Sequence, residues 1–530
     1  MHWSDVVAQR LTERGSKHIV STGITPSGEF HIGHLREILT GDMISKAAKK
    51  AGLDVEFVFI VDSADPLRKV YSFLDDSYSQ YIGHQLKQIP PPNEDGKPDM
   101  QRFANGTSYA DHFLEPFKQA LEQIDVRPRF IDNYESYASG QFAETARIAC
   151  NNADKIREII ERVSSRELAD DWFPWNPIDA NGSIDGIRVT GWEDPIVFWV
   201  DSEGNSGTSD VTKGEGKLPW RIDWPAKWAW IGVTMEPFGK DHGAAGGSYD
   251  TGKEIVELFG IEAPLDLTYE WISLRGQGAM SSSSGNTIGP LEALSLVPPE
   301  ILRYLVASTK PNKAIEFDTG MGLVNLADEF ERTTARDFSI EMEKEGLSRR
   351  QKVAIEDAKT ALELSLIAPL KEATSVTFRH LAMLAQTKSR DEDVWASLGI
   401  QGSVPQSMRD RLQRMRTWVQ SRHFPDELRI TILEEPHLEA IGQLDHDNIA
   451  ILPLLIASLR TCEWDAASIQ TTISSTAKGI ETSPRHAYRA LYLCIMGVER
   501  GPRLPSILAE LDQTSIVNLL SACLEAKQES

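Results

Sequence analysis

Two regimes of hydrophobic patterning divide the chain. Up to about residue 274, short apolar or β-branched runs alternate with stretches of helical period; from Pro298 onward the period is helical. Trp3–Arg14 carries a helical stripe, and His18–Thr22 reads as a short strand. Ile32–Lys50 reads as a helix, with Gly52 placed to cap it in the left-handed region. Val55–Val61, nearly all apolar, predicts a strand buried on both faces. A helix over Tyr109–Ile124, a strand over Arg129–Ile131 and one or two helices over Ser139–Arg166 follow. A strand at Ile231–Met235, a helix at Ser248–Phe259 and a last strand at Leu265–Leu274 complete the series. Such alternation predicts a parallel sheet with helices on its faces.

Two segments interrupt the rhythm. Ile89-Pro-Pro-Pro-Asn93 through Asn105-Gly106 is rich in Pro, Gly and Asp and predicts a mobile surface loop. Trp172–Gly214, rich in Gly, Asp, Asn and Ser around the runs Ile187–Thr190 and Ile196–Val200, predicts a small β insertion. Beyond Pro298, amphipathic stretches from Pro299–Ser308 to Ala487–Gly497 predict an irregular all-α region without a repeat. The expected organisation is an α/β domain over 1–297, with its insertion at about 172–214, a helical connecting domain over 298–388 and an all-α domain over 389–530.

With 530 residues the chain exceeds what one core organises. No window approaches the roughly 20 apolar residues of a membrane span. Met1–Val7 lacks the basic and apolar blocks of a signal peptide, so a cytoplasmic protein with no membrane partner is expected. The four cysteines form no C-x-x-C pair, which argues against disulfides and a thiolate zinc site. A net charge of −23 opposes polyanions in bulk. Any RNA contact therefore has to come from local basic residues such as Arg485, Arg489, Arg500 and Arg503, although solvated helix faces are the simpler explanation of these.

The candidate chemistry concentrates at strand ends. His31 and His34 flank Gly33 where the first strand gives way to a helix, and free N–H groups at such a point favour phosphate. Gly33 leaves the backbone bare for a ligand. Asp62 and Asp65 end the second strand, where carboxylates face the crevice and suit an amino group, a ribose or Mg2+. Trp220, Trp224, Trp228 and Trp230 cluster with Lys217 and Lys227, a pattern more often core than ligand box. Lys240, Asp241 and His242 follow the next strand, and Tyr269 lies on the last one. Arg275–Asn286, including Met280, Ser281, Ser283 and Ser284, is a Gly/Ser loop whose donors suit phosphate.

In letters and placement, Gly23-Ile-Thr-Pro-Ser-Gly followed by His31-Ile-Gly-His34 resembles the HIGH signature of class I aminoacyl-tRNA synthetases. Ala279-Met-Ser-Ser-Ser-Ser-Gly-Asn286 resembles their KMSKS loop. Over its full length the chain resembles class I lysyl-tRNA synthetases, through His2-Trp-Ser-Asp5, Asp65-Pro-Leu-Arg-Lys-Val70 and Lys217-Leu-Pro-Trp-Arg-Ile-Asp-Trp-Pro225. Glu236-Pro-Phe-Gly-Lys-Asp-His242 and Glu499-Arg-Gly-Pro-Arg503 extend the match. The resemblance implies a Rossmann-type (HUP-like) catalytic domain in a monomer, with lysine or a lysine-like amino acid, ATP with Mg2+, and tRNA as partners. By the same resemblance, His31, Gly33 and His34 hold ATP together with Met280, Ser281, Ser283 and Ser284. Gly23, Thr25, Asp62, Trp220, Asp241, His242 and Tyr269 surround the amino acid, and the helical C-terminal half cradles the anticodon.

Two departures change this picture. Relatives often carry cysteine pairs in the insertion where this chain has Asp179-Ala-Asn-Gly and Asp201-Ser-Glu-Gly, so no zinc is expected. Both lysines of the second signature are replaced, by Ala279 and Ser284. Removing one comparable preorganised donor costs about 3–4 kcal/mol of transition-state stabilisation. Arg275, Lys240 or a second Mg2+ are the candidates to compensate, Arg275 first. Three functions stay open on these residues: a weakened aminoacylating enzyme, a tRNA-independent adenylate-forming ligase acting on lysine or an analogue, and a catalytically silent protein that binds lysine, ATP or tRNA.

Overall fold

The computed structural model describes residues 1–275, 278–279, 287–367 and 376–529. Its centre is a five-stranded parallel sheet built from β1 (Lys17–Ile24), β2 (Asp54–Val61), β3 (Arg129–Asp132), β4 (Met235–Gly239) and β5 (Leu265–Tyr269). Their spatial order is β5-β4-β1-β2-β3. The chain runs outward from β1 to β3 and then returns to the other side of β1, so the sheet switches direction between β1 and β4. Ligands bind at the C-terminal ends of strands at such a switch. β1 and β2 pair in full, from Lys17–Asp54 to Ile24–Val61, while β1 and β4 pair at Val20–Met235.

Helix α1 (Trp3–Thr12) precedes the sheet, and α2 (Ile32–Lys50) connects β1 to β2. α2 is buried on most sides, with Ile38, Leu39, Met43, Ile44 and Ala48 in the core. It seats closely because residue 41 is glycine: a Cβ there would meet the Phe57 ring at 2.7 Å and Thr22 Cγ2 at 2.8 Å. Gly52, at φ +89°, ends the helix in the left-handed region.

Three expectations need correction. The segment from Ile89 is not wholly a surface loop: Ile89–Pro92 is buried, held by Tyr109 N–H on Ile89 O (2.9 Å) and Tyr78 OH on Pro90 O (2.9 Å), and Met100–Ala104 is a short helix. Ile231 ends helix α3 (Trp220–Ile231), and Gly232 at φ +80° breaks it, so Glu236 lies inside β4 instead of after a strand. Leu265–Leu274 is two strands. β5 belongs to the main sheet, whereas Ile272–Leu274 pairs with Ile315–Phe317 and Gly278–Ala279 in a separate sheet.

The insertion is an antiparallel meander of Arg188–Glu193, Ile196–Val200 and Ser206–Asp210. The chain as a whole forms two compact units. The first comprises Met1–Leu294, Pro299–Phe317 and Thr333–Ile367; the second comprises Ser295–Pro298, Asp318–Arg332 and Ala368–Ser530. The second is helical, its core filled by side chains such as Leu452, Leu455, Leu491 and Leu520. Two of its helices, Ala466–Gly479 and Gln513–Glu529, escape the sequence reading because Ser and Thr dilute their apolar stripes. Among the described residues no helix is long and apolar enough to cross a membrane.

Candidate active site

α2 begins at the switch point with His31 as its N-cap. His31 Nδ1 accepts from Gly33 N–H (3.1 Å), and His34 Nδ1 faces His31 N–H (3.0 Å). A backbone N–H only donates, so His31 Nδ1 presents a lone pair and that neutral ring carries its proton on Nε2; His34 Nδ1 lies between His31 N–H and, at 3.2 Å, His31 O. Burial drives the His31 pKa down to about 4; burial, reinforced by the neighbouring His31, drives that of His34 down to about 3. Two neutral rings with centroids 3.9 Å apart thus stand at a helix N-terminus, His31 offering an Nε2–H donor, an arrangement suited to phosphate oxygens. Ile32 N–H donates to Ile288 O (2.9 Å) and Arg275 N–H to Phe317 O (3.0 Å), fixing the two ends of the Gly/Ser loop. Met280, Ser281, Ser283 and Ser284, expected at ATP, lie outside the described residues.

One helical turn beyond His34 stands Glu37, which the sequence reading passed over. Its Oε1 accepts from Gly23 N–H (2.9 Å) and its Oε2 from Tyr269 OH (3.0 Å). Burial pushes its pKa up to about 8 against the pull of those two hydrogen bonds. Among the described residues no cationic side chain pairs with it. Gly23 and Tyr269, both expected at the amino acid, therefore meet on a half-buried carboxyl group. The signal available in the sequence was spacing: residues 31, 34 and 37 follow one helix face.

Below the crevice lies a buried ionic network. Lys217 reaches Asp65 (3.1 Å) and Asp223 (3.2 Å); Lys227 reaches Asp223 (2.7 Å) and Asp62. Tyr137 OH donates to Asp223 (2.6 Å) and Asn133 to Asp62 (3.2 Å). Burial raises the Asp62 pKa against the opposing pull of Lys227. For Asp223, burial pushes upward but the two ammonium groups outweigh it and hold the carboxyl low. Asp62, expected among the residues around the amino acid, is 4% exposed and engaged by Lys227 and Asn133. Thr25, expected there as well, donates its hydroxyl proton to Asp65 (2.7 Å). The Asp223–Lys227 pair is an i, i+4 pair on α3, legible as spacing but read as part of an aromatic core.

An aromatic wall completes the site. Trp220 stacks on Trp224 (centroids 5.5 Å, 13°), and His242 lies 5.8 Å and 5.4 Å from the two rings. Trp224 and Trp228 donate their indole N–H groups to Glu236 (3.0 and 2.5 Å), whose pKa burial pushes up to about 7. Asp241 lies 3.6 Å from His242. Lys240 pairs with Glu270 (2.6 Å) and covers Trp271 (4.9 Å). In the insertion, the carboxylates of Asp179 and Asp201 accept N–H groups of their own turns, from Asn181 and Ser183 and from Glu203 and Asn205.

The family model for class I (K) tRNA synthetases matches residues 1–360, which hold every residue of this site. A lysine–tRNA ligase of Picrophilus torridus is 36% identical over 530 residues, covering 99% of both chains. One from Thermoplasma volcanium is 37% identical with the same coverage, and one from Archaeoglobus fulgidus is 34% identical over 99% of this chain and 100% of its own. With switch-point histidines, the parallel sheet around them and likeness along the whole length, this chain belongs to the class I (K) tRNA synthetases.

Proposed function

We propose that the chain is a lysine–tRNA ligase, activating lysine with ATP and passing the lysyl group to tRNA. The observation that carries this reading is Glu37: a half-buried carboxyl group between Gly23 N–H and Tyr269 OH, with no cationic side chain paired to it among the described residues. Such a group is costly to ionise alone, and the ε-ammonium of lysine supplies the missing partner. Trp220 and His242 border the same amino acid, their flat faces suited to its alkyl chain. His31 and His34 receive ATP phosphates, His31 through Nε2–H; being neutral, they orient the chain of phosphates without gripping pyrophosphate as fixed cations would.

In the reaction a lysine carboxylate oxygen attacks the α-phosphorus of ATP. The bond from that phosphorus to the bridging oxygen breaks, and pyrophosphate leaves with the electron pair. A terminal ribose hydroxyl of tRNA then attacks the lysyl carbonyl, its proton passes to the departing AMP phosphate, and the ester forms. No protein nucleophile is needed; positioning and charge neutralisation carry the catalysis. Mg2+ enters with ATP, and zinc has no part. Arg275, at the base of the Gly/Ser loop, is the leading substitute for the replaced lysines, ahead of Lys240. The connecting helices and the all-α C-terminal domain cradle the anticodon of tRNA.

The sequence at Ala279 and Ser284 favours a second reading, in which lysine is adenylated slowly and delivered to another nucleophile. ATP–pyrophosphate exchange over a panel of amino acids, followed by charging of tRNA(Lys), separates the two. Lysine-dependent exchange with charging supports the first, and exchange without charging supports the second. No exchange with any amino acid overturns both.

A further inference from the structure

We infer that Asp65 and Lys217 are positioning residues: they fix the Thr25 hydroxyl as a hydrogen-bond acceptor for the α-ammonium of the amino acid. This rests on the amino-acid activation proposed above. Asp65 is 5% exposed and its ionised carboxylate can only accept. Lys217 occupies Oδ1 at 3.1 Å, and the Thr25 hydroxyl donates to Oδ2 at 2.7 Å. Thr25 has one hydroxyl proton and spends it there, so its lone pairs are what remain for a ligand. Thr25 lies just past the end of β1 and is partly exposed, whereas Asp65 and Lys217 are buried. A hydroxyl fixed in this sense favours an ammonium and disfavours a carboxylate, which would orient the amino acid end for end.

The rest of the network explains how Asp65 stays an acceptor. Facing it are Lys217, Thr25 and, through the network, Asp62, Asp223, Tyr137 and Lys227, so three carboxylates share two buried ammonium groups. Replacing such a network with apolar groups is often neutral or stabilising, so its stability value alone does not account for it. If Lys217 were lost, Asp65 would lose the ammonium that orients its Oδ1, and the Thr25 hydroxyl would be free to turn its proton toward the substrate ammonium.

The test uses the full-length protein and its Lys217→Met, Asp65→Asn, Thr25→Ser and Thr25→Val variants. Lysine KM and ATP KM are measured by pyrophosphate exchange, each divided by the wild-type value. Lys217→Met is expected to raise lysine KM by about tenfold or more, the order of one lost hydrogen bond to a charged group, with ATP KM within about twofold of wild type. Asp65→Asn should raise lysine KM likewise. Thr25→Ser should stay close to wild type and Thr25→Val should behave as Asp65→Asn. If Lys217→Met does not fold, Asp65→Asn carries the test, since it leaves both lysines on Asp223. Folded variants with unchanged lysine KM, or with lysine and ATP KM raised alike, overturn the positioning role. A wild-type protein that neither exchanges nor binds lysine instead overturns the functional reading on which it rests.

Discussion

With its pKa pushed up to about 8, Glu37 is mostly protonated at pH 7 in the empty site, yet an ammonium ligand needs it ionised. Lysine binding should therefore release close to one proton at pH 7, and affinity should rise with pH toward 8. Calorimetry in two buffers of different ionisation enthalpy measures this directly. The stability sign is the opposite. Because the folded pKa lies above the ordinary carboxyl value, the empty fold holds more protons than the unfolded chain. Its stability should fall as pH rises from about 4.5 to 8, and saturating lysine should cancel that fall. Gly23 and Tyr269 were legible in the sequence through their motifs. Glu37 was not, because a glutamate within a helix of mixed polarity looks like any solvated residue until the sheet buries it. Asp62 is the converse case: a carboxylate at a strand end looks open until Lys227 comes to meet it from α3.

At the scale of elements, α2 joins binding to folding. His31 caps the helix through Gly33 N–H, so His31→Ala should destabilise the protein by about 0.5–2 kcal/mol. It should also raise ATP KM while leaving lysine KM near wild type, which separates loss of the cap from loss of the phosphate donor. Gly41→Val should cost about 1–3 kcal/mol of overpacking against Phe57 and Thr22, read as a lower urea midpoint. The strand–helix alternation and the position of α2 could be read from periodicity, because apolar spacing reports burial directly. The Trp220–Ile231 helix could not be placed, since bulky aromatics on every side hide a period. The break within Leu265–Leu274 also left no mark, because Glu270 and Trp271 turn the chain without a glycine or proline.

For the molecule as a whole, charge is the governing quantity. With a net charge of −23, tRNA engagement depends on local cations, and two of those nominated are already occupied. Arg489 binds Glu499, Asp445 and Asn448, and Arg503 binds Gln470. The KM for tRNA should thus climb steeply with salt while lysine-dependent exchange stays nearly flat. Within the first unit, buried Arg303 gathers Asp42, Ile124 O and Leu364 O from three helices. Breaking such a buried pair costs about 3–5 kcal/mol, and Arg303→Met should sit near the lower end because Lys46 remains beside Asp42. The proposed function turns on the ε-ammonium at Glu37, and the most direct measurement is discrimination between lysine and norleucine in pyrophosphate exchange by wild type and Glu37→Gln. Truncating one partner of a buried, hydrogen-bonded charge pair costs about 2–5 kcal/mol, so Glu37→Gln should lower kcat/KM for lysine by roughly 30-fold or more. Its effect on norleucine should be small, so the preference for lysine collapses. A Glu37→Gln protein that folds and still prefers lysine as strongly as wild type would contradict the account.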